Sequence, residues 1–265
     1  MSIAIENNTI EETKVVAAPR FKIRKVSSSA PVKWFQKGLS DFKKATSASM
    51  LYGLMYVVIG MLTIWATWQN PLYVATMVAA FLLIGPVVAV GFYCISRALE
   101  QGKEPKFTQG IDALRFNAFS LISFALVLAF IVGIWAVVAT GLTAVFFSSA
   151  IVGDDVLSTI FANEQMLPFA ITYMLIGLVF AIVSFSISVI SVPLITNRRT
   201  DFVTAMKTSV EAVRKNPVAM FSWALMIATL IFLGMAFFYI GLAVTLPIVG
   251  HASWHAYREL VIDEE

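Results

Sequence analysis

Charged and apolar positions separate along this chain into long blocks. No Asp, Glu, Lys or Arg occurs between Lys44 and Arg97, from Phe116 to Gly153, from Gln165 to Asn197, or from Asn216 to Gly250. A charge-free apolar stretch of about 18 residues or more reads as membrane-spanning, because the hydrocarbon core solvates no ions. The pattern predicts an all-α polytopic membrane protein. At about 20 residues per crossing, run 45–96 holds two helices, 47–68 and 72–96, broken at Gln69-Asn70-Pro71 between Trp65, Trp68 and Tyr73. Run 116–153 predicts one helix, 117–143, and Pro168 opens another that ends near Thr196. The last run is long for one crossing and short for two. Extended through Val213 and Tyr257 it holds two with a break near Gly234, which makes six spans, with five as the alternative.

Loop charge orients these spans. Lys and Arg crowd the segment before residue 45, the connection 97–116 and the connection 197–216, whereas the 148–168 loop carries only acids and Gln69–Leu72 carries no charge. By the positive-inside rule both basic connections and both termini are cytoplasmic.

Composition sharpens the class. The chain is 59% hydrophobic and 13% charged, with mean hydropathy +0.83, too little polar surface for a water-soluble fold of 265 residues. Its single cysteine, Cys94, allows no intrachain disulfide. Residues 1–44 contain no apolar run of the roughly 7–15 residues a cleavable signal needs. We expect a disordered basic cytoplasmic tail over 1–36, a transmembrane domain over 37–258 and a short C-terminal tail over 259–265. The cluster Arg20–Lys25, with Lys33 and Lys37, suits anionic lipid headgroups.

An internal pattern recurs. Pro86, Pro193 and Pro247 stand in similar contexts, Ile84-Gly-Pro-Val-Val, Ser191-Val-Pro-Leu-Ile and Thr245-Leu-Pro-Ile-Val, late in the second helix of each expected hairpin. Short amphipathic stretches precede each hairpin: Gly38-Leu-Ser-Asp-Phe, Gly110-Ile-Asp-Ala-Leu and Asp201-Phe-Val-Thr-Ala-Met. The architecture expected is three parallel hairpins, each led by an interfacial helix. Each proline removes an N–H and frees the carbonyl four residues earlier, at Leu82, Val189 and Ala243. Those carbonyls either line a central pathway or mark kinks that neighbouring helices re-satisfy.

Chemistry is sparse. The expected spans hold no ionisable pair of the kind that drives a charge-coupled pump. Ser184, Ser188 and Ser191 share one helical face, and Gly53/Gly60 and Gly234/Gly241 share a seven-residue spacing; both patterns suit close helix packing or a polar lining. His251 and His255 are four apart on one face, a spacing that suits two metal ligands. Eight residues beyond each proline stand Cys94, Asp201 and His255, so His251, His255, Cys94 and Asp201 form the candidate metal or haem set. A structural zinc site takes four ligands and a catalytic one three. The plainer reading is an interfacial belt, with Trp254 and Tyr257 at headgroup level. No phosphate-binding loop, nucleophile elbow or dinucleotide fingerprint occurs, so neither an enzyme nor a nucleic-acid partner is expected.

Trp34-Phe-Gln-Lys-Gly-Leu-Ser-Asp-Phe42, Leu51-Tyr-Gly, Gly91-Phe-Tyr-Cys-Ile-Ser-Arg97 and Gly250-His-Ala-Ser-Trp-His-Ala-Tyr-Arg258 resemble a bacterial integral membrane family of unknown function (DUF 2189) over about residues 33–262. The resemblance implies a bacterial inner-membrane location. Some members carry a cytochrome c oxidase subunit I-like label, which implies an accessory place beside a respiratory complex. The chain has only two histidines, too few for two haems and a copper. The function expected is a non-enzymatic structural, assembly or partner-binding membrane protein without a cofactor. The alternatives are a channel or carrier for a small neutral or lipidic solute, and a metal- or haem-binding protein.

Overall fold

The computed structural model describes residues 21–67, 85, 89–147, 164–236 and 239–263. The elements in chain order are β1 (Phe21–Ile23), α1 (Ala30–Lys44), α2 (Thr46–Thr67), α3 (Val90–Glu100), α4 (Thr108–Phe116), α5 (Ala118–Phe147), α6 (Met166–Ser188), α7 (Ser191–Asn197), α8 (Phe202–Lys215), α9 (Pro217–Ala236), α10 (Leu242–Leu260) and β2 (Val261–Asp263).

Helices α5, α6 and α9 are apolar all round, so they have no polar face to turn to water. Phe119, Phe130, Val137, Met174 and Phe221 stand fully outward from them. Among the described residues three segments are long and apolar enough to cross a membrane: Ala118–Phe147, Met166–Asn197 and Pro217–Ala236. A fourth results if α1 and α2, which meet at 103°, count as one broken span. The six expected spans thus resolve here as three or four. Most of the expected 72–96 crossing, with Leu82 and Pro86, lies outside the described residues.

The last run does break. Helix α9 ends at Ala236 and α10 starts at Leu242, with Tyr239 in the left-handed region at φ 62° between them. Gly234 and Gly241 meet across this turn, and a Cβ on Gly241 would lie 2.8 Å from the Gly234 carbonyl oxygen. Their seven-residue spacing therefore serves a close approach. Gly60 meets nothing, so its matching spacing with Gly53 has no counterpart.

Each apolar helix α2, α5 and α9 is preceded by an amphipathic one, and the joints share a backbone conformation. Ala45 has φ −128° and ψ 42°, Asn117 has −144° and 52°, and Asn216 has −129° and 53°. That geometry ends one helix and lets the next begin within two residues. The leading helices then pack in a consistent way: α4 on α3, α8 on α6 and α7, and α1 on α10.

The core lies where these packings meet. Trp34, Trp223, Phe92, Leu194 and Ile195 are fully buried, and Trp34 meets Trp223 edge to face at 5.8 Å.

Both ends differ from expectation. Residues 21–36 are not a disordered tail: β1 pairs antiparallel with β2, Phe21 opposite Asp263 and Ile23 opposite Val261, and α1 begins at Ala30. Asn216 holds the intervening turn, accepting from the Val26 N–H at 2.8 Å and donating to the Arg24 carbonyl at 3.0 Å. The C-terminal tail expected over 259–265 likewise begins inside α10 and continues as β2. A three-residue strand carries no sequence periodicity of its own, and its partner lies at the other end of the chain.

Candidate functional site

The polar side chains that the apolar helices cannot hold gather where α1, α2, α3 and α10 meet. Helix α1 exposes Lys33, Lys37, Lys43 and Lys44 on its outer side. Its inner side buries Trp34, Gly38 and Asp41 against α10. Gly38 is required there: a Cβ would lie 2.6 Å from the Ala252 nitrogen and 2.8 Å from the Ile248 carbonyl oxygen.

His251 is completely buried at the centre. Its Nε2 lies 2.9 Å from Ser49 Oγ of α2 and its Nδ1 lies 2.8 Å from Ser96 Oγ of α3. A neutral imidazole donates from one nitrogen and accepts at the other. The Ser96 hydroxyl also bonds the Asp41 carboxylate, which only accepts. Ser96 therefore donates to Asp41 and accepts from His251 Nδ1–H, which leaves His251 Nε2 to accept from Ser49. His255 closes the chain with Nε2 2.8 Å from Asp41 Oδ2. All the donors converge on one carboxylate, with Ser49, His251 and Ser96 in series on one side and His255 on the other.

The electrostatics follow. Burial pulls the Asp41 carboxyl upward, but the hydrogen bonds from His255 and Ser96 and the nearby imidazoles outweigh it. The net position is below the usual carboxylate range. Asp41 is therefore the anion around which the cluster is organised.

A serine donating to an imidazole backed by an acceptor is the polarity that activates a nucleophile. Ser49, however, is fully buried, as are Ser96 and His251. The bonds instead join helices: α2 to α10, α10 to α3, and α10 to α1. Further bonds extend the seam. Trp34 Nε1 donates to Glu259 at 2.7 Å, Trp254 Nε1 to Glu100 at 3.2 Å, Arg258 Nε to Glu100 at 3.2 Å, and Asn197 Nδ2 to the Tyr257 hydroxyl at 2.8 Å. Trp254 and Tyr257 are thus buried among protein groups rather than placed as a headgroup belt, and Arg258 meets a carboxylate.

The four candidate ligands are not brought together. His251 and His255 share a helix face but engage different partners. Cys94 sits half-buried on α3 beside the core. Asp201 caps α8, accepting from the Thr204 N–H at 2.9 Å, and these bonds hold its carboxyl below the ordinary value although burial opposes them. Among the described residues no three His, Cys, Asp or Glu side chains are arranged to hold a metal ion. The residues that sequence reasoning missed are Asp41, Ser49 and Ser96. A lone serine in an apolar run gives no signal, and the separations of 202 and 155 residues to His251 leave no spacing to read.

The prolines find structural partners. Pro247 lies inside α10 and frees the Ala243 carbonyl, against which Gly53 of α2 packs so closely that a Cβ there would overlap the oxygen. Pro193 is the third residue of α7, where helix N–H groups lack intrahelical acceptors anyway. The serine face turns into protein: Ser184, Ser188 and Ser191 are buried, and Ser191 at the start of α7 donates to the Ile187 carbonyl near the end of α6.

Long apolar helices with outward aromatic and aliphatic side chains define a helical integral membrane protein. Residues 73–197 match the family described as "Predicted integral membrane protein (DUF2189)". No curated protein and no solved structure matches the chain significantly.

Proposed function

We propose that this protein is a non-enzymatic assembly or partner-binding component of a bacterial inner membrane, with both termini cytoplasmic. The observation that carries the reading is the His251–Asp41 cluster. Its ionisable and hydroxyl groups are spent on one another and on joining four helices, and none is offered to a substrate. The basic loops support the orientation.

The architecture we infer is three hairpins arranged cyclically. The shared conformation at Ala45, Asn117 and Asn216 supports it, as does the packing of α4 on α3, α8 on α7 and α1 on α10. So do the tethers: Asn117 Nδ2 donates to the Thr200 carbonyl ahead of α8, Asn216 holds the segment ahead of α1, and the Tyr52 hydroxyl donates to the Phe107 carbonyl ahead of α4. Each unit holds the entry of the next, and the third holds the entry of the first.

The test is purification of the full chain from its native membrane in mild detergent. A defined complex co-migrating in fixed stoichiometry is expected, and a respiratory complex is the first to seek. A chain that always elutes alone overturns the proposal.

A further inference from the structure

We propose that the outward face of α8 is a seat for an anionic phospholipid. The inner face of this helix buries Ala205, Thr208, Ser209 and Ala212. The opposite face forms a shallow groove of about 790 Å³, floored by Val203, Met206 and Val210 and edged by Lys207, Arg214 and Lys215, with Glu211 the one carboxylate. Residues 203, 207, 210 and 214 recur at helical spacing, so the apolar and basic groups stand side by side. Among the described residues none of the three cations makes an ion pair.

Asn216 turns the chain directly into α9, whose Val218, Phe221 and Leu225 are 62%, 71% and 58% exposed. Those three are spaced as one helical stripe. A basic groove thus stands immediately before a membrane-crossing helix that carries an exposed apolar stripe. That combination matches one amphiphile, with its phosphate among the cations and its acyl chains along α9. A free phosphate or an acidic peptide would use the cations but leave the stripe unused.

The test uses the full-length protein in neutral detergent, titrated separately with phosphatidylglycerol, phosphatidylcholine, inorganic phosphate and a glutamate-rich peptide. Retained lipid is read by native mass spectrometry and stabilisation by thermal shift. Phosphatidylglycerol is expected to be retained and to raise the melting temperature, the other three not. The exposed triple variant K207Q/R214Q/K215Q should weaken retention by about tenfold or more, from the loss of three interfacial charges. K103Q/K106Q, which removes charge from the α3–α4 connection, should not, and K207R/K215R should retain binding. Equal retention of phosphatidylcholine, equal loss in K103Q/K106Q, an unchanged triple variant, or protection by phosphate or peptide alone would each overturn the assignment.

Discussion

The seam between α7 and α8 and the seam between α1 and α10 perform the same packing with different means. At the first, the two helices are joined by residues 198–201, and the contact is largely apolar around Ile190, Val192 and Ala205, with one polar peg. Ser209 Oγ donates to the Ser186 carbonyl at 2.7 Å and accepts from the Ile190 N–H at 3.2 Å, stitching the break between α6 and α7. At the second, the partners lie 214 residues apart at Asp41 and His255. The seam carries the His255–Asp41 end of the buried donor chain and the Trp34–Glu259 indole–carboxylate bond, and a two-stranded ribbon ties the segments that flank it. Loop-closure entropy grows as the logarithm of length, so a roughly fiftyfold longer connection costs about 3 kcal/mol more. The difference teaches that the polar cluster stands where the chain itself does not hold the helices together.

Substitutions test the comparison. The largest effect is expected from Trp34→Ala, which empties a fully buried site beside Trp223 and strips Glu259 of its donor. A loss of about 3–5 kcal/mol is expected, measured by denaturant-induced unfolding in mixed micelles. If that seam is merely decorative, the variant will unfold with wild type. His251→Ala should follow, at about 1–3 kcal/mol for the Ser49 hydroxyl left without its acceptor. Adding Ser49→Ala to it should recover part of the loss, because no buried donor is then orphaned. A double variant less stable than the single one would contradict the donor order given above. Ser209→Ala at the sequential seam should cost less, about 1 kcal/mol, as one hydroxyl is lost where the connection is short.

Acidification gives the smallest effect. The folded Asp41 carboxyl lies below its unfolded value of about 3.9. Its contribution is therefore complete above that value and fades as pH falls through the folded one. Asp41→Asn should flatten the acid limb of a melting-temperature profile below about pH 4. A variant whose acid limb matches wild type would show that other carboxylates govern it.

Much of the fold was legible in the chain. The charge-free runs located α2, α5, α6 and α9 closely, because bilayer solvation acts on composition alone. The three leading helices were legible from short amphipathic stretches. The break in the last run was placed near Gly234 and falls at Tyr239–Gly241, with no polar turn to mark it. The site was legible only in half: His251 and His255 stood out as the chain's two histidines, but the spacing that suggested a shared ion reflects two separate partners. Asp41, Ser49 and Ser96 were hidden because what selects them is contact across the closing seam. The same reason hid the ribbon and the order in residues 21–36.

The ribbon and the α1–α10 seam also set an order of events during synthesis. Helix α1 emerges early, yet Gly38 and Asp41 can dock only after α10 has been made and turned back. Until then the inner side of α1 waits at the membrane surface without its partner, and the bundle stays open along one side. Closure of that seam therefore cannot precede the synthesis of α10, the last helix in the described chain.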